Sequence, residues 1–297
     1  MIYISTSSIY RDSVKDCVKE LAALGIRNIE LSGGAGYSEG ILESLKDLKE
    51  KYSLNYLIHN YFPPPKEGFV LNIASRDEEI RGRSLALIRS SIDFAGELGI
   101  AFYSIHAGYA GHFLPPVGDG YFRQGGDRVI SPEEAMATVY ETIAEIRAYA
   151  SEHGIKIGLE NLFPFGDHPE NSLLSTPEDI FSFLDSIAGD DDMGFLLDLG
   201  HLYIAAKYFN FDIDSFIGRL KERYGHKILE VHLSDNDVKV DRHAPLSPGS
   251  WQLGTALKFD LDNVPLTIEC RGLNPAEVLE QYNIVKNTLE RKVANGS

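Results

Sequence analysis

The stretch KIGLENLFPFGDHPENSLLSTPEDIFSFLDSIAGDDDMGFLLDLGH, Lys156 to His201, decides the fold. It opens on an apolar run that ends in an acid, Glu160, and closes on a second that ends in another, Asp198. Near-continuous apolar runs belong to strands buried on both faces, as in a parallel sheet. Between them, Thr176-Pro177-Glu178-Asp179 marks a helix start, with a capping hydroxyl, a proline at the first helical position and acids in the first turn. Strand, loop, helix, strand is the unit of an α/β fold with a parallel sheet.

The same unit recurs along the chain. Eight strand-like runs are legible: Ile2–Thr6, Arg27–Leu31, Leu54–His59, Ala101–His106, Lys156–Glu160, Phe195–Asp198, Ile228–Leu233 and Leu266–Glu269. Amphipathic stretches separate them. Ser13–Leu24 lines up Val14, Cys17, Val18 and Leu21, and Ile80–Leu98 runs into Gly99 as a stop. Ser131-Pro132-Glu133-Glu134 and Asn274-Pro275-Ala276-Glu277 repeat the helix-start pattern. Eight units with no linker predict a single (β/α)8 TIM-barrel domain over residues 1–297. Long loops are expected after strands 4, 5 and 7, over Gly108–Ile130, Asn161–Ser175 and Ser234–Leu253.

Composition narrows the function classes. With 297 residues, 43% of them hydrophobic, the chain can bury a large core. The balance of 28 basic against 44 acidic residues, net -16, argues against broad nucleic-acid binding. Cys17 and Cys270 cannot make a disulfide framework and read as small core residues. The N-terminus lacks the charge and apolar run of a secretion signal, and no stretch of roughly 18 apolar residues occurs. A soluble cytoplasmic protein with no membrane partner is expected, with homo-oligomerisation open.

Nine metal-capable side chains sit at or just past strand ends: His59, His106, Glu160, Asp198, His201, His232, Asp241, His243 and Glu269. In a (β/α)8 barrel that end carries the active site. Imidazoles and carboxylates without thiolates suit Zn, Mn, Co or Fe at a catalytic centre. An ionised acid at the end of a buried strand is costly unless compensated. One divalent ion held by Glu160, Asp198, His232 and Glu269, on strands five to eight, resolves that cost; separate pairing of each acid with Arg or Lys is the plainer alternative. His59 and His106 stand on successive strands beside Glu160. His201 follows Asp198 by three residues, so both face the mouth if a helix starts there. With Asp241 and His243 it could close a further ligand group.

These segments resemble the xylose isomerase-like TIM barrels, which include endonuclease IV and many sugar isomerases and epimerases. The matching stretches are IHNYFPPP with LNIASRDEEIRGRS, SIHAG, GLENL, LLDLGH, HLSDNDVKVDRHAP and TIEC. The resemblance covers the whole chain. It implies three zinc sites in the endonuclease manner, with all nine ligand positions filled and Glu160 bridging. Ala107-Gly108-Tyr109 and the segment after Asn161 depart from the endonuclease loops that grip DNA, which points away from nucleic acid. Pro248-Gly249-Ser250 stands where the small-molecule members carry Gly-x-Gly.

Two catalytic readings and one non-catalytic reading follow. The first is an isomerase or epimerase of a small sugar, polyol or sugar phosphate, dependent on Zn2+ or Mn2+, with one to three ions per chain. There the resemblance implies Glu160 and Glu269 as an acid–base pair on opposite sides of the mouth. His201 and Arg271 are candidates for substrate oxygens. Tyr61 and Trp251 are candidates for the pocket wall, together with Phe62, Tyr109, Phe113, Tyr121, Phe122, Phe163 and Phe165. The second reading is a di- or trinuclear zinc phosphoester hydrolase related to endonuclease IV. The third is a metal-binding barrel acting as a subunit or sensor. Glu30, at the end of strand two, reads as an acid behind the site or as an ion-pair partner.

Overall fold

The structure is a computed structural model that describes residues 1–111, 113–114, 123–124, 130–164, 169–237, 240–259 and 263–295. The candidate wall residues Tyr121, Phe122 and Phe165 lie outside the described residues. The chain runs β1 (Ile2–Ser5), α1 (Val14–Ala23), β2 (Asn28–Leu31), α2 (Ile41–Tyr52), β3 (Asn55–His59), α3 (Glu78–Leu98) and β4 (Phe102–His106). A short antiparallel pair follows, β5 (Phe113–Leu114) and β6 (Arg123–Gln124), then α4 (Pro132–Glu152), β7 (Lys156–Glu160), α5 (Pro177–Ser186) and β8 (Met193–Asp198). The remainder is α6 (Leu199–Phe209), α7 (Ile213–Tyr224), β9 (Ile228–Leu233), α8 (Trp251–Ala256), β10 (Leu266–Ile268) and α9 (Pro275–Asn295).

Eight strands close into a parallel barrel in the order β1-β10-β9-β8-β7-β4-β3-β2. All eight expected runs are barrel strands, and β5 and β6 stand outside it. The connection after β3, residues 60–77, is long as well as those after β4, β7 and β9. It is tied to the connection after β4 by one side chain: Asn72 accepts from Tyr109 N–H at 2.9 Å and donates to the Tyr109 carbonyl at 2.9 Å. Gly108, at φ +101°, makes that approach possible, because a Cβ there would lie 2.8 Å from Asn72 Oδ1.

The helix starts form as their residues dictate. Ser131 and Glu134 make a complete capping box at α4, and Thr176 accepts from Asp179 N–H at α5. Each cap is worth about 1 kcal/mol. The core lies between the helices and the outer strand faces, where Phe183, Phe195 and Phe216 are fully buried. Both cysteines are buried and unpaired. Among the described residues no helix is long and apolar enough to cross a membrane.

Candidate metal centre at the barrel mouth

All nine candidate ligands gather at the C-terminal mouth. Donor atoms of His59, His106 and Glu160 lie within 4.8 Å of one another; so do those of Glu160, Asp198 and His201, of Asp198, His232 and Glu269, and of His201, Asp241 and His243. Strand alternation explains the first layer, since residues at strand ends that face inward converge on the axis. Asp198 does two things at once. It ends β8 and caps α6, accepting from His201 N–H at 2.6 Å, which turns His201 into the mouth. Asp241 and His243 come from the loop after β9. Asn236 Oδ1 holds that loop by accepting from the N–H groups of Arg242 at 2.6 Å and His243 at 3.0 Å.

Three of the imidazoles, His201, His243 and His232, are oriented from behind. His201 Nδ1–H donates to the Asn161 carbonyl at 2.9 Å, leaving Nε2 3.4 Å from Asp241 Oδ2. His243 Nδ1–H donates to the Glu269 carbonyl at 3.0 Å, leaving Nε2 2.6 Å from the same oxygen. His232 is turned the other way, with Nε2 on Glu30 at 2.8 Å and Nδ1 3.2 Å from Glu269 Oε2. His59 and His106 bring Nε2 to 3.2 and 3.3 Å from Glu160 Oε2. A ring nitrogen held by a hydrogen bond on one side and a second facing a carboxylate on the other is the arrangement of metal-ligating histidine.

Burial and mutual charge set the protonation of the cluster. Burial pushes the Glu160 carboxyl up to about 7, against the pull of His201 beside it. Burial also lowers His106 to about 3, helped by His201, and takes His59 well below the ordinary imidazole range. For His201 and His232 burial is outweighed by their acids, Asp198 and Asp241 in one case, Glu30 and Glu230 in the other, so both are raised well above 6.5. For Asp241 and Glu269 the imidazoles outweigh burial, His243 foremost in each, and both acids are held well below their ordinary values.

The donor set fits a divalent cation. Both carboxylate oxygens of Glu160, Oδ2 of Asp198 and Oδ1 of Asp241 are buried and accept no hydrogen bond. Buried acid oxygens in this condition are costly, and a cation among them removes the cost.

The other expected site residues fall differently. Arg271 is 54% exposed at the mouth, its guanidinium 3.8 Å from Glu269 Oε1. Tyr61 is half-buried, accepts from Leu71 N–H at 2.7 Å and packs edge-on against Phe69. Trp251 opens α8 and stacks near Tyr203 of α6, centroids 6.1 Å apart, with no recorded contact to the nine ligands among the described residues. Phe163 does reach the cluster, its ring centroid 4.8 Å from that of His201. Tyr109 and Phe113 pack on each other, 4.8 Å between centroids, and Phe62 is fully buried against Phe94. Glu160 and Glu269 stand on β7 and β10, three steps apart in the eight-strand ring through β8 and β9.

Three contributors were not singled out as site residues from sequence. Glu230 lies fully buried two residues before His232, 3.5 Å from its Nε2, and accepts from the Thr267 hydroxyl. The i, i+2 spacing on one strand was the available signal. Ser7, from the turn after β1, donates to Glu269 Oε1 at 3.4 Å. Asn161 pairs with the backbone of Asp198.

Comparison with known proteins finds relatives along most of the chain. The chain is similar to fructoselysine 3-epimerase of Shigella flexneri, 23% identical over 255 residues that span 84% of this chain and 81% of that protein. It is similar to a probable endonuclease 4 of Carboxydothermus hydrogenoformans, 24% identical over 221 residues, 72% of this chain and 67% of the other. The crystal structure of a D-tagatose 3-epimerase-like protein superposes with a TM-score of 0.74 at 22% identity, covering 100% of this chain and 99% of that one. The sequence model of the xylose isomerase-like TIM barrel matches residues 18–283, and the chain belongs to that family.

Proposed function

We propose that this protein is a divalent-metal-dependent isomerase or epimerase acting on a small sugar, polyol or sugar phosphate. The observation that carries the reading is the set of buried carboxylate oxygens of Glu160 and Asp198, which accept no hydrogen bond and lie 3.1–3.8 Å from imidazole nitrogens, beside His232 and Glu269. These four residues would hold the ion, Zn2+ or Mn2+. When bound, it polarises a substrate carbonyl and the neighbouring hydroxyl. The epimerase relatives support a carbohydrate substrate.

Glu160 and Glu269 would move the proton at carbon. Their environments push them apart: Glu160 rises to about 7 while Glu269 stays ionised, held by His243 and His232. That difference belongs to the metal-free site; Glu160 would lose its proton when an ion binds, so the acid and base roles would follow from which face of the substrate carbon each carboxylate meets. Arg271, with its guanidinium exposed at the mouth, would take a phosphate or carboxylate of the substrate. His201 and Phe163 would meet the sugar beside Asp241.

A phosphoester hydrolase is the second reading. It is favoured by the two additional ligand groups, His59–His106–Glu160 and His201–Asp241–His243, and by the endonuclease relative. The net charge of -16 makes a small phosphodiester a better candidate than DNA.

Metal content per chain, measured by mass spectrometry on protein purified without added metal or chelator, separates the two. One ion together with turnover on a ketose and sugar-phosphate panel supports the epimerase. Two or three zinc ions together with phosphodiester cleavage support the hydrolase. No ion after reconstitution overturns both.

A further inference from the structure

Below the nine ligands the barrel holds a second layer of acids. Glu30 on β2 and Glu230 on β9 are both fully buried, and each has one carboxylate oxygen without a hydrogen-bond partner. Their common neighbour is His232 Nε2, 2.8 Å from Glu30 and 3.5 Å from Glu230. Two buried acids in a barrel core are a cost to the fold. Packing does not require them, since a strand interior position takes an apolar residue of the same volume at no such cost.

The histidines show what Glu30 is for. His201 and His243 are backed by backbone carbonyls. His232, whose Nδ1 faces Asp198 and Glu269, is backed by a carboxylate instead. A carboxyl acceptor fixes the ring and, once ionised, makes the opposite nitrogen a stronger donor than a carbonyl does. Glu30 also lies within 4.8 Å of a ring nitrogen of His59, which belongs to the neighbouring ligand group.

We propose that Glu30 is a positioning residue that holds His232 with Nδ1 presented to the ion shared with Asp198 and Glu269, and thereby sets the affinity of that ion. This inference rests on the metal-dependent reading above. In this role Glu30 acts through His232 and not as a ligand; with His59 and His232 it also forms a candidate ligand group, and metal titration tells the two roles apart.

The test is titration of metal-free full-length protein with Zn2+ against a chromophoric chelator, and with Co2+ by visible absorption. Wild type is compared with Glu30→Gln and with Glu30→Asp, which keeps the charge but shortens the reach. The expected result is a loss of about 10- to 100-fold in affinity for one ion, with unchanged stoichiometry and an altered Co2+ spectrum. The melting temperature of the metal-free protein is a separate readout: it should fall in Glu30→Gln, which leaves His232 without its anion, and stay closer to wild type in Glu30→Asp, while affinity falls in both. Three results overturn the proposal. One is wild-type affinity in both variants. Another is loss of one whole ion with the others unaffected, which would make Glu30 a ligand. The third is a fall in apo melting temperature that tracks the affinity in both variants, which would make its role structural. If Glu30→Gln does not fold, the Glu30→Asp titration decides alone. Wild-type protein that binds no ion would instead overturn the metal reading itself.

Discussion

Asn161 and Asp198 pair twice across the barrel mouth: Asn161 Nδ2 donates to the Asp198 carbonyl at 3.0 Å, and Asp198 N–H donates to Asn161 Oδ1 at 2.8 Å. The residue after one ligand thus grips the backbone of another, on the next strand. The Asn161 carbonyl receives His201 as well, so one buried residue positions parts of two ligand groups. Asn161→Ala would orphan an N–H and a C=O in a dry site. A loss of at least about 2 kcal/mol in unfolding free energy is expected. Calorimetry on the metal-free protein checks it; an unchanged melting temperature would refute the bracing role.

Glu160→Gln keeps the shape of the side chain and removes the charge. Turnover should fall by at least about 100-fold, the usual contribution of a positioned acid or base. The fold should survive, because burial already disfavours the ionised form of Glu160. Steady-state kinetics on the substrate identified by the panel, with circular dichroism alongside, makes the comparison. Wild-type turnover would remove Glu160 from the chemistry.

Metal and protons should compete. Glu160 at about 7, and His201 and His232 raised well above 6.5, carry protons that an incoming ion must displace. Calorimetric titration in two buffers of different ionisation enthalpy should register proton release, and affinity should rise from pH 6 to pH 8. Without metal the dependence of stability runs the other way. A group raised in the folded state stabilises fully below its unfolded value and loses that contribution as pH climbs through its folded value. Above roughly 6.5 the imidazoles of the unfolded chain are losing their protons while the raised groups of the folded one still hold theirs: Glu160 at about 7, Glu30 at about 8, and the two raised histidines. Apo melting temperature should therefore fall from pH 6.5 to pH 8. A rise over that interval would contradict the assigned shifts.

Gly200 lies in DLGH between two ligands. A Cβ there would sit 2.6 Å from both Asn236 Nδ2 and Ser234 Oγ. Those residues begin the loop that carries Asp241 and His243. Gly200→Ala should displace that loop and weaken the His201–Asp241–His243 group, with a smaller pressure on Asp198, whose Oδ1 would lie 3.2 Å from the added Cβ. If the chain binds more than one ion, metal analysis should find one fewer per chain in the variant; full content would show that the loop tolerates the shift.

Arg271 makes a kinetic prediction about substrate charge. Arg271→Ala should raise KM about tenfold or more for a phosphorylated or carboxylated substrate, the loss of one charge-assisted contact. Neutral sugars should be unaffected. Equal effects on both classes would place Arg271 with Glu269 rather than with the substrate.

The barrel was legible because strands buried on both faces must be apolar throughout, and Ile157, Leu197 and Val231 obey that rule locally. The nine candidate ligands were legible for the complementary reason. Polar groups such as Glu160, Asp198 and His232 interrupt an apolar run only where something other than solvent satisfies them. The family resemblance added how those ligands divide into groups. Trp251 was harder to place: it starts α8, and its ring lies 6.1 Å from that of Tyr203 on α6, a neighbour that no local pattern announces. Tyr61 likewise spends its hydroxyl on Leu71, a partner ten residues away that no local pattern announces.

Fold class, strand order in the chain and the list of metal-capable residues are properties of local pattern, because periodicity and capping act over a few residues. Which carboxylate faces which nitrogen is a property of the closed barrel. Glu30 and His232 are 202 residues apart in the chain and 2.8 Å apart in space. Their pairing exists only once the sheet has closed into a ring and the strand ends share one axis.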